Sequence, residues 1–224
     1  MAPQLITMLT YKDETVKSCF EVFAQCADLS ASFWGFKDVG LPKPDMKRLV
    51  ERMKEKGKAT FLEVVSLTER ECLDGARLAL DCGFDYLMGT LFYDSVFKLV
   101  QGKHTKFFPF AGKVSGHPSI LEGSIPEIVA EGQRMEQLGV AGFDLLAYRY
   151  TGDAEMLAEA FVKGLRVPVV LAGSVDSFPR LDVMKRVNPW AFTIGSAFFD
   201  RKFVPGGTFR EQMARVLDYL RKQA

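Results

Sequence analysis

The chain has 224 residues, 48% of them hydrophobic and 25% charged, with 29 basic and 28 acidic side chains that leave a formal net charge of +1. That composition excludes a disordered chain, and the even mixing of charge leaves no basic tract to collect a nucleic acid or an anionic membrane surface. The length suits one domain over residues 1–224, near the lower size limit of a (β/α)8 barrel.

In chain order, β-rich runs begin near Leu5, Ala31, Ala59, Asp85, Lys106, Gly142, Val167 and Trp190. The opening Met1-Ala2-Pro3-Gln4 leads into the first run without a basic and apolar leader. No apolar stretch reaches the roughly 18 residues of a membrane-spanning helix, so a cytoplasmic protein is expected. Between the runs lie amphipathic stretches such as 14–27, 45–57 and 155–166, apolar at helical spacing. Thr68-x-x-Glu71, Ser124-x-x-Glu127 and Thr208-x-x-Glu211 read as capping boxes at helix starts. Gly57, Gly83 and Gly139 stand just past helix ends, where a left-handed residue is needed. Cys19, Cys26, Cys72 and Cys82 fall in helical segments at spacings that match no Cys-x-x-Cys site, and read as reduced, packed thiols.

Strict alternation of strand and helix implies a parallel sheet with helical crossovers. Eight repeats in so short a chain favour closure. An open doubly wound sheet would place Gly-x-Gly-x-x-Gly after its first strand, where this chain has Tyr11-Lys12-Asp13-Glu14. The fold expected is a single-domain (β/α)8 (TIM) barrel. Cys82-Gly83-Phe84-Asp85 and Ala141-Gly142-Phe143-Asp144 form a faint repeat, which reads Asp85 and Asp144 as strand-entrance residues on the N-terminal, stability face.

The last two strands each run into Gly-Ser: Val169 to Ser174, and Ala191 to Ser196. Glycine lets the backbone approach an oxyanion closely, serine adds a hydroxyl, and two such turns can present N–H groups to one phosphate. With the small size and eightfold alternation, this pair resembles the ribulose-phosphate-binding barrel superfamily, most clearly over residues 167–200. The resemblance implies an aldolase-type barrel in which Gly173, Ser174, Gly195 and Ser196 bind a substrate phosphate. The reaction is not named by it. The decarboxylase-type Asp-x-Lys-x-x-Asp is replaced by Glu63 to Thr68, and Tyr148-Arg149-Tyr150 stands where many class I aldolases carry the imine-forming lysine.

Chemistry in such barrels comes from the C-terminal strand ends and the loops beyond them. Glu63 alternates with Leu62 and Val64, which face the helices, so its carboxylate should point into the barrel mouth. Lys37 ends an aromatic-rich second strand; a lowered pKa there would suit a base or an imine former, and a loop ion pair is the plainer alternative. The stretch from Phe110 to Ser124 is long and irregular for a βα connection and reads as a lid or binding loop. It supplies Lys113 and His117 as acid–base candidates, Lys113 being the favoured imine lysine. Arg149 can neutralise a phosphate or carboxylate. Asp176 either orients a substrate hydroxyl or caps the seventh helix with Ser177. No metal motif is present, although a divalent ion on Glu63 and a second carboxylate stays open.

The reading is an enzyme, isomerase, epimerase or aldolase-type lyase, that moves a proton beside a carbonyl in a small phosphorylated sugar or keto compound, with no cofactor assigned. The alternatives are an FMN-dependent oxidoreductase and a non-catalytic phosphometabolite-sensing barrel. The expected partners are that metabolite and other copies of the chain, without nucleic acid or membrane.

Overall fold

A computed structural model describes residues 2–116 and 118–222. Eight parallel strands make one sheet: β1 (Gln4–Met8), β2 (Phe33–Lys37), β3 (Ala59–Ser66), β4 (Tyr86–Thr90), β5 (Lys106–Phe108), β6 (Phe143–Leu145), β7 (Val169–Leu171) and β8 (Ala191–Ile194). β1 pairs with both β2 and β8, and the ladder continues to β5 on one side and β6 on the other. The seam between β5 and β6 is closed by a parallel bridge from Phe110 to Asp144. The Ala141 and Asp144 N–H groups also donate to the Phe107 and Pro109 carbonyls, each at 3.1 Å. The expected (β/α)8 barrel is therefore the observed one.

The outer layer comprises α1 (Cys19–Cys26), α2 (Lys43–Glu55), α3 (Glu69–Cys82), α4 (Asp94–Val100), α5 (Ile125–Leu138), α6 (Ala154–Gly164), α7 (Phe178–Val187), the short α8 (Ser196–Phe199) and α9 (Phe209–Arg221). Their buried stripes meet outward residues such as Trp34, Phe36, Leu62, Phe143 and Phe192 in one continuous core. Each large side chain buried there contributes roughly 1.5–3 kcal/mol. Full capping boxes form at Ser124/Glu127 and Thr208/Glu211, whereas Thr68 accepts from the Glu71 N–H without the reciprocal backbone bond. Gly83 and Gly139 take the left-handed C-cap conformation at φ +77° and +99°. All four cysteines are free and buried.

A smaller cluster fills the barrel itself: Ile6, Met8, Phe61, Met88, Phe108, Val170 and Ala191. Toward the N-terminal end it is sealed by aromatic rings. Phe61 stacks on Tyr86 at 4.3 Å, and Trp190 lies 4.9 Å from Phe33. With that end plugged, polar groups can enter the barrel from the C-terminal face.

Three expectations about local structure change. The stretch after β5 is an ordered antiparallel hairpin, Lys113–Ser115 against Ile120–Glu122, rather than an irregular lid. The sixth strand stops at Leu145, and Ala147–Arg149 form a 3-10 turn. Ser177 occupies the N-cap of α7 but makes no side-chain cap bond. Asp176 instead pairs with Arg180, one helical turn on, at 3.0 Å.

Candidate active site at the barrel mouth

Register decides which side chains enter the barrel. Across a parallel ladder, partner residues share a face. Glu63 pairs with Met88, and Lys37 pairs with Glu63; Met88 belongs to the interior cluster, so both charged side chains point inward. Asp144 pairs with Val170 and Thr193 with Ile6, both interior residues. Inward Phe61, Met88 and Val170 thus form a floor, and Lys37, Glu63 and Asp144 cap it with charge. A register irregularity between Glu63 and Ser66 bends β3 just above Glu63, the kind of feature that re-aims side chains near sites. Gly89, at φ +86°, lets the neighbouring strand approach: a Cβ there would lie 3.0 Å from both the Val64 carbonyl oxygen and Glu63 Cγ.

Lys37 is 7% exposed. Its Nζ donates to Asp13 Oδ1 at 2.8 Å and lies 3.8 Å from Glu63 Oε1. Asp13 arrives on a small hairpin, Thr10–Tyr11 against Glu14–Thr15, whose central Lys12 and Asp13 have φ of +49° and +64°. Those are the dihedrals of a type I′ turn, in which Asp is tolerated and Lys is strained. Thr15 clamps this hairpin onto β2: its Oγ1 donates to the Lys37 carbonyl at 2.7 Å and accepts from the Lys37 N–H at 3.0 Å.

Burial alone would push the Lys37 ammonium's pKa down, but Glu63, Asp13 and Asp144 together drive it above its ordinary value. The magnitudes agree. A unit pair at about 4 Å is worth about 4 kcal/mol at an effective dielectric of ~20, and Lys37 has two such neighbours. Of the two alternatives for Lys37, a lowered pKa and an ion pair, the structure shows the ion pair, because carboxylates and not aromatic rings surround Nζ. Burial raises the Asp144 carboxyl well above its usual range, and Glu63 reinforces the shift. Placing Asp144 on the stability face is likewise corrected: it lies inside the barrel, next to Glu63 and Lys37. Asp85 does sit at a strand entrance, accepting from the Thr60 N–H and Oγ1 at 2.8 Å each.

Lys37, Glu63 and Asp13 line a cavity of about 280 Å³ that is also lined by Gly173, Ser174, Gly195 and Ser196. Both Gly-Ser turns therefore face one space. Gly173 and Ser174 have φ of +88° and +53°. Gly195 is required by close approach, since a Cβ there would lie 2.9 Å from the Thr10 carbonyl oxygen. Arg149, Asp176 and Lys202 line the same cavity, Asp176 engaged with Arg180. So do Thr10 and Ser119, whose hydroxyls are buried and have no partner among the described residues.

Lys113 is not brought to the mouth. It is exposed on the outer hairpin and borders a separate groove with Phe92, Glu131 and Leu138. His117 lies outside the described residues. Asp13, Asp144, Thr10, Ser119 and Lys202 were not among the sequence candidates. Among the described residues, no group of three or more His, Cys, Asp or Glu is arranged to hold a metal ion, and no helix is long and apolar enough to cross a membrane.

No protein-family model and no curated protein matches the chain. Solved structures do. Orotidine 5'-phosphate decarboxylase from Pyrococcus horikoshii OT3 superposes with a TM-score of 0.71 at 13% identity, over 97% of this chain and 99% of that one. A native KDPGal structure gives 0.70 at 12% identity, over 99% and 98%. The N-acetylmannosamine-6-phosphate 2-epimerase from Clostridium perfringens gives 0.61 at 13% identity, over 96% and 92%. The chain thus shares the (β/α)8 barrel fold of these proteins. The likeness of fold runs along nearly the whole chain, well beyond the stretch from residue 167 to 200.

Proposed function

We propose that the chain is an enzyme that moves a proton beside the carbonyl of a small phosphorylated sugar or keto compound. The observation that carries this is the charged floor. Lys37 Nζ stands between Asp13 and Glu63, and the two Gly-Ser turns border the same cavity. The phosphate would sit against the turns, where the Ser196 and Ala197 N–H groups open α8 ahead of Phe198, whose N–H donates to the Gly195 carbonyl, and Arg149 and Lys202 supply positive charge. The carbonyl end would then reach the floor. Glu63 would take the proton from the carbon next to the carbonyl, and the Lys37 ammonium would stabilise the oxyanion of the enediolate. Returning the proton to the former carbonyl carbon, while the hydroxyl proton passes between the two oxygens by way of the Lys37 ammonium, gives isomerisation; delivery of a proton to the same carbon by an acid on the opposite face, with Glu63 keeping the one it took, gives epimerisation.

Lys37 as a held cation supports proton transfer over an imine-type aldolase, which needs a neutral amine. A cavity of about 280 Å³ is at the low end of the ~300–1,000 Å³ common for small-molecule sites, which favours a metabolite of a few carbons over a flavin. The names of two structural neighbours, an orotidine 5'-phosphate decarboxylase and an N-acetylmannosamine-6-phosphate 2-epimerase, carry phosphorylated compounds and agree with this reading.

Ligand-dependent melting against a panel of sugar and keto-acid phosphates tests it. A ligand at 100 times its Kd stabilises by about 2.7 kcal/mol, roughly 5–10 °C for a chain of this size. Phosphorylated compounds should shift the transition, and their dephosphorylated counterparts should not. Equal shifts from both would refute the assignment.

A further inference from the structure

Asp144 is fully buried in the middle of β6, and neither carboxyl oxygen has a hydrogen-bond partner among the described residues. The elements around it bring few charges. β7 offers Val170 and the β5 seam offers Phe110, both apolar. The charged groups that act on it are Glu63 from β3 and Lys37 from β2. Lys37 is already bonded to Asp13 at 2.8 Å and lies 3.8 Å from Glu63. One ammonium therefore serves three carboxyl groups. Ionising all three would leave two negative charges uncompensated, one of them on the fully buried Asp144, a state far costlier than a buried neutral acid.

We propose that Asp144 is a proton-carrying positioning residue: it remains a neutral carboxylic acid in the folded protein at pH 7, so that the Lys37 ammonium is left to Asp13 and Glu63. Burial and the Glu63 charge both push its carboxyl in that direction. In the proposed reaction Glu63 then has a neutral acid behind it rather than a second anion. The catalytic consequence rests on the function proposed above; the protonation state does not.

Thermal unfolding of wild type and Asp144→Asn from pH 4 to 8 tests this. The unfolded chain releases the Asp144 proton above about pH 4, while the folded chain keeps it. Wild type should therefore lose folding equilibrium relative to the variant by up to about tenfold per pH unit through this range. The melting difference, variant minus wild type, should rise with pH. A flat or falling difference would mean an ordinary or ion-paired Asp144 and would overturn the proposal. If Asp144→Asn does not fold, wild type labelled with ¹³C at the aspartate carboxyls gives the answer. One resonance should remain in its acid position at pH 7, and in Glu63→Gln it should titrate at lower pH. No aspartate resonance in the acid position at pH 7 would overturn the proposal. Both measurements use the protein without substrate, so their failure is distinct from failure to find a turnover.

Discussion

Lys37 and Glu63 are register partners on adjacent strands, and their side chains meet inside the barrel with Nζ 3.8 Å from Oε1. Asp13 holds the same ammonium from above, on a turn outside the sheet. A cation so placed neutralises a floor that would otherwise collect negative charge. It can also answer a new oxyanion forming above it, which joins the fold's electrostatics to the proposed chemistry.

Removing that cation should cost stability as well as function. Lys37→Met leaves Asp13 and Glu63 without their shared partner, and breaking a buried pair on one side costs about 3–5 kcal/mol. Chemical denaturation should show a loss of that size. The double variant Lys37→Met/Glu63→Gln should recover part of it, because the stranded carboxylate is then gone.

The phosphate wall predicts a different pattern. Arg149→Met and Ser196→Ala should leave the melting temperature of the free protein within a few degrees, since neither makes a described structural bond that the fold needs. Each should weaken binding of phosphorylated ligands by about 10–100-fold, the worth of one charge-assisted hydrogen bond. Titration calorimetry with a hit from the phosphate panel reads this directly, and unchanged affinity in both variants would move the phosphate elsewhere.

Lys113→Ala should change ligand affinity and turnover less than twofold, because Lys113 borders the outer groove and not the mouth. Side-by-side kinetics of Lys113→Ala and Lys37→Met check the placement. A large loss in Lys113→Ala would require the hairpin to swing inward.

Far from the mouth, Arg210 on α9 grips Asp28 beside α1 with contacts of 2.5 and 2.8 Å, tying the two ends of the chain together. The guanidinium's hydrogen bond holds the Asp28 carboxyl down to about 2. An aspartate lowered in the folded state contributes stability above its unfolded pKa near 4, and that contribution fades as pH falls toward 2. The melting difference between wild type and Arg210→Gln should therefore be largest near neutrality and shrink between pH 4 and pH 2.

The sequence revealed the parts of this structure that periodicity encodes. Strand and helix alternation led to the barrel, and Glu63 between Leu62 and Val64 announced an inward acid, as the register bears out. The same alternation holds for Asp144 between Phe143 and Leu145, but its likeness to the stretch at Asp85 drew it to the wrong end of the barrel. Phe84-Asp85 precedes its strand, whereas Phe143-Asp144 lies within its own. Asp13 carried no such signal. It reaches Lys37 because Lys12 and Asp13 adopt left-handed dihedrals in a tight turn, and two non-glycine residues at positive φ are not legible from residue type. The lowered pKa considered for Lys37 failed for the same reason and its ion-pair alternative held, since its aromatic sequence neighbours Trp34 and Phe36 face the helices and carboxylates from other elements face its ammonium.

The central claim is that Glu63 exchanges a substrate proton above the Lys37 ammonium. Incubation in D₂O with each ligand that stabilises the protein, followed by proton NMR of the ligand, tests it most directly. Wild type should wash deuterium into the carbon beside the carbonyl of at least one phosphorylated compound. Glu63→Gln, melting within a few degrees of wild type, should slow that exchange by about 10²–10⁴-fold, the range for loss of a positioned base. Exchange at the wild-type rate in well-folded Glu63→Gln would contradict the account.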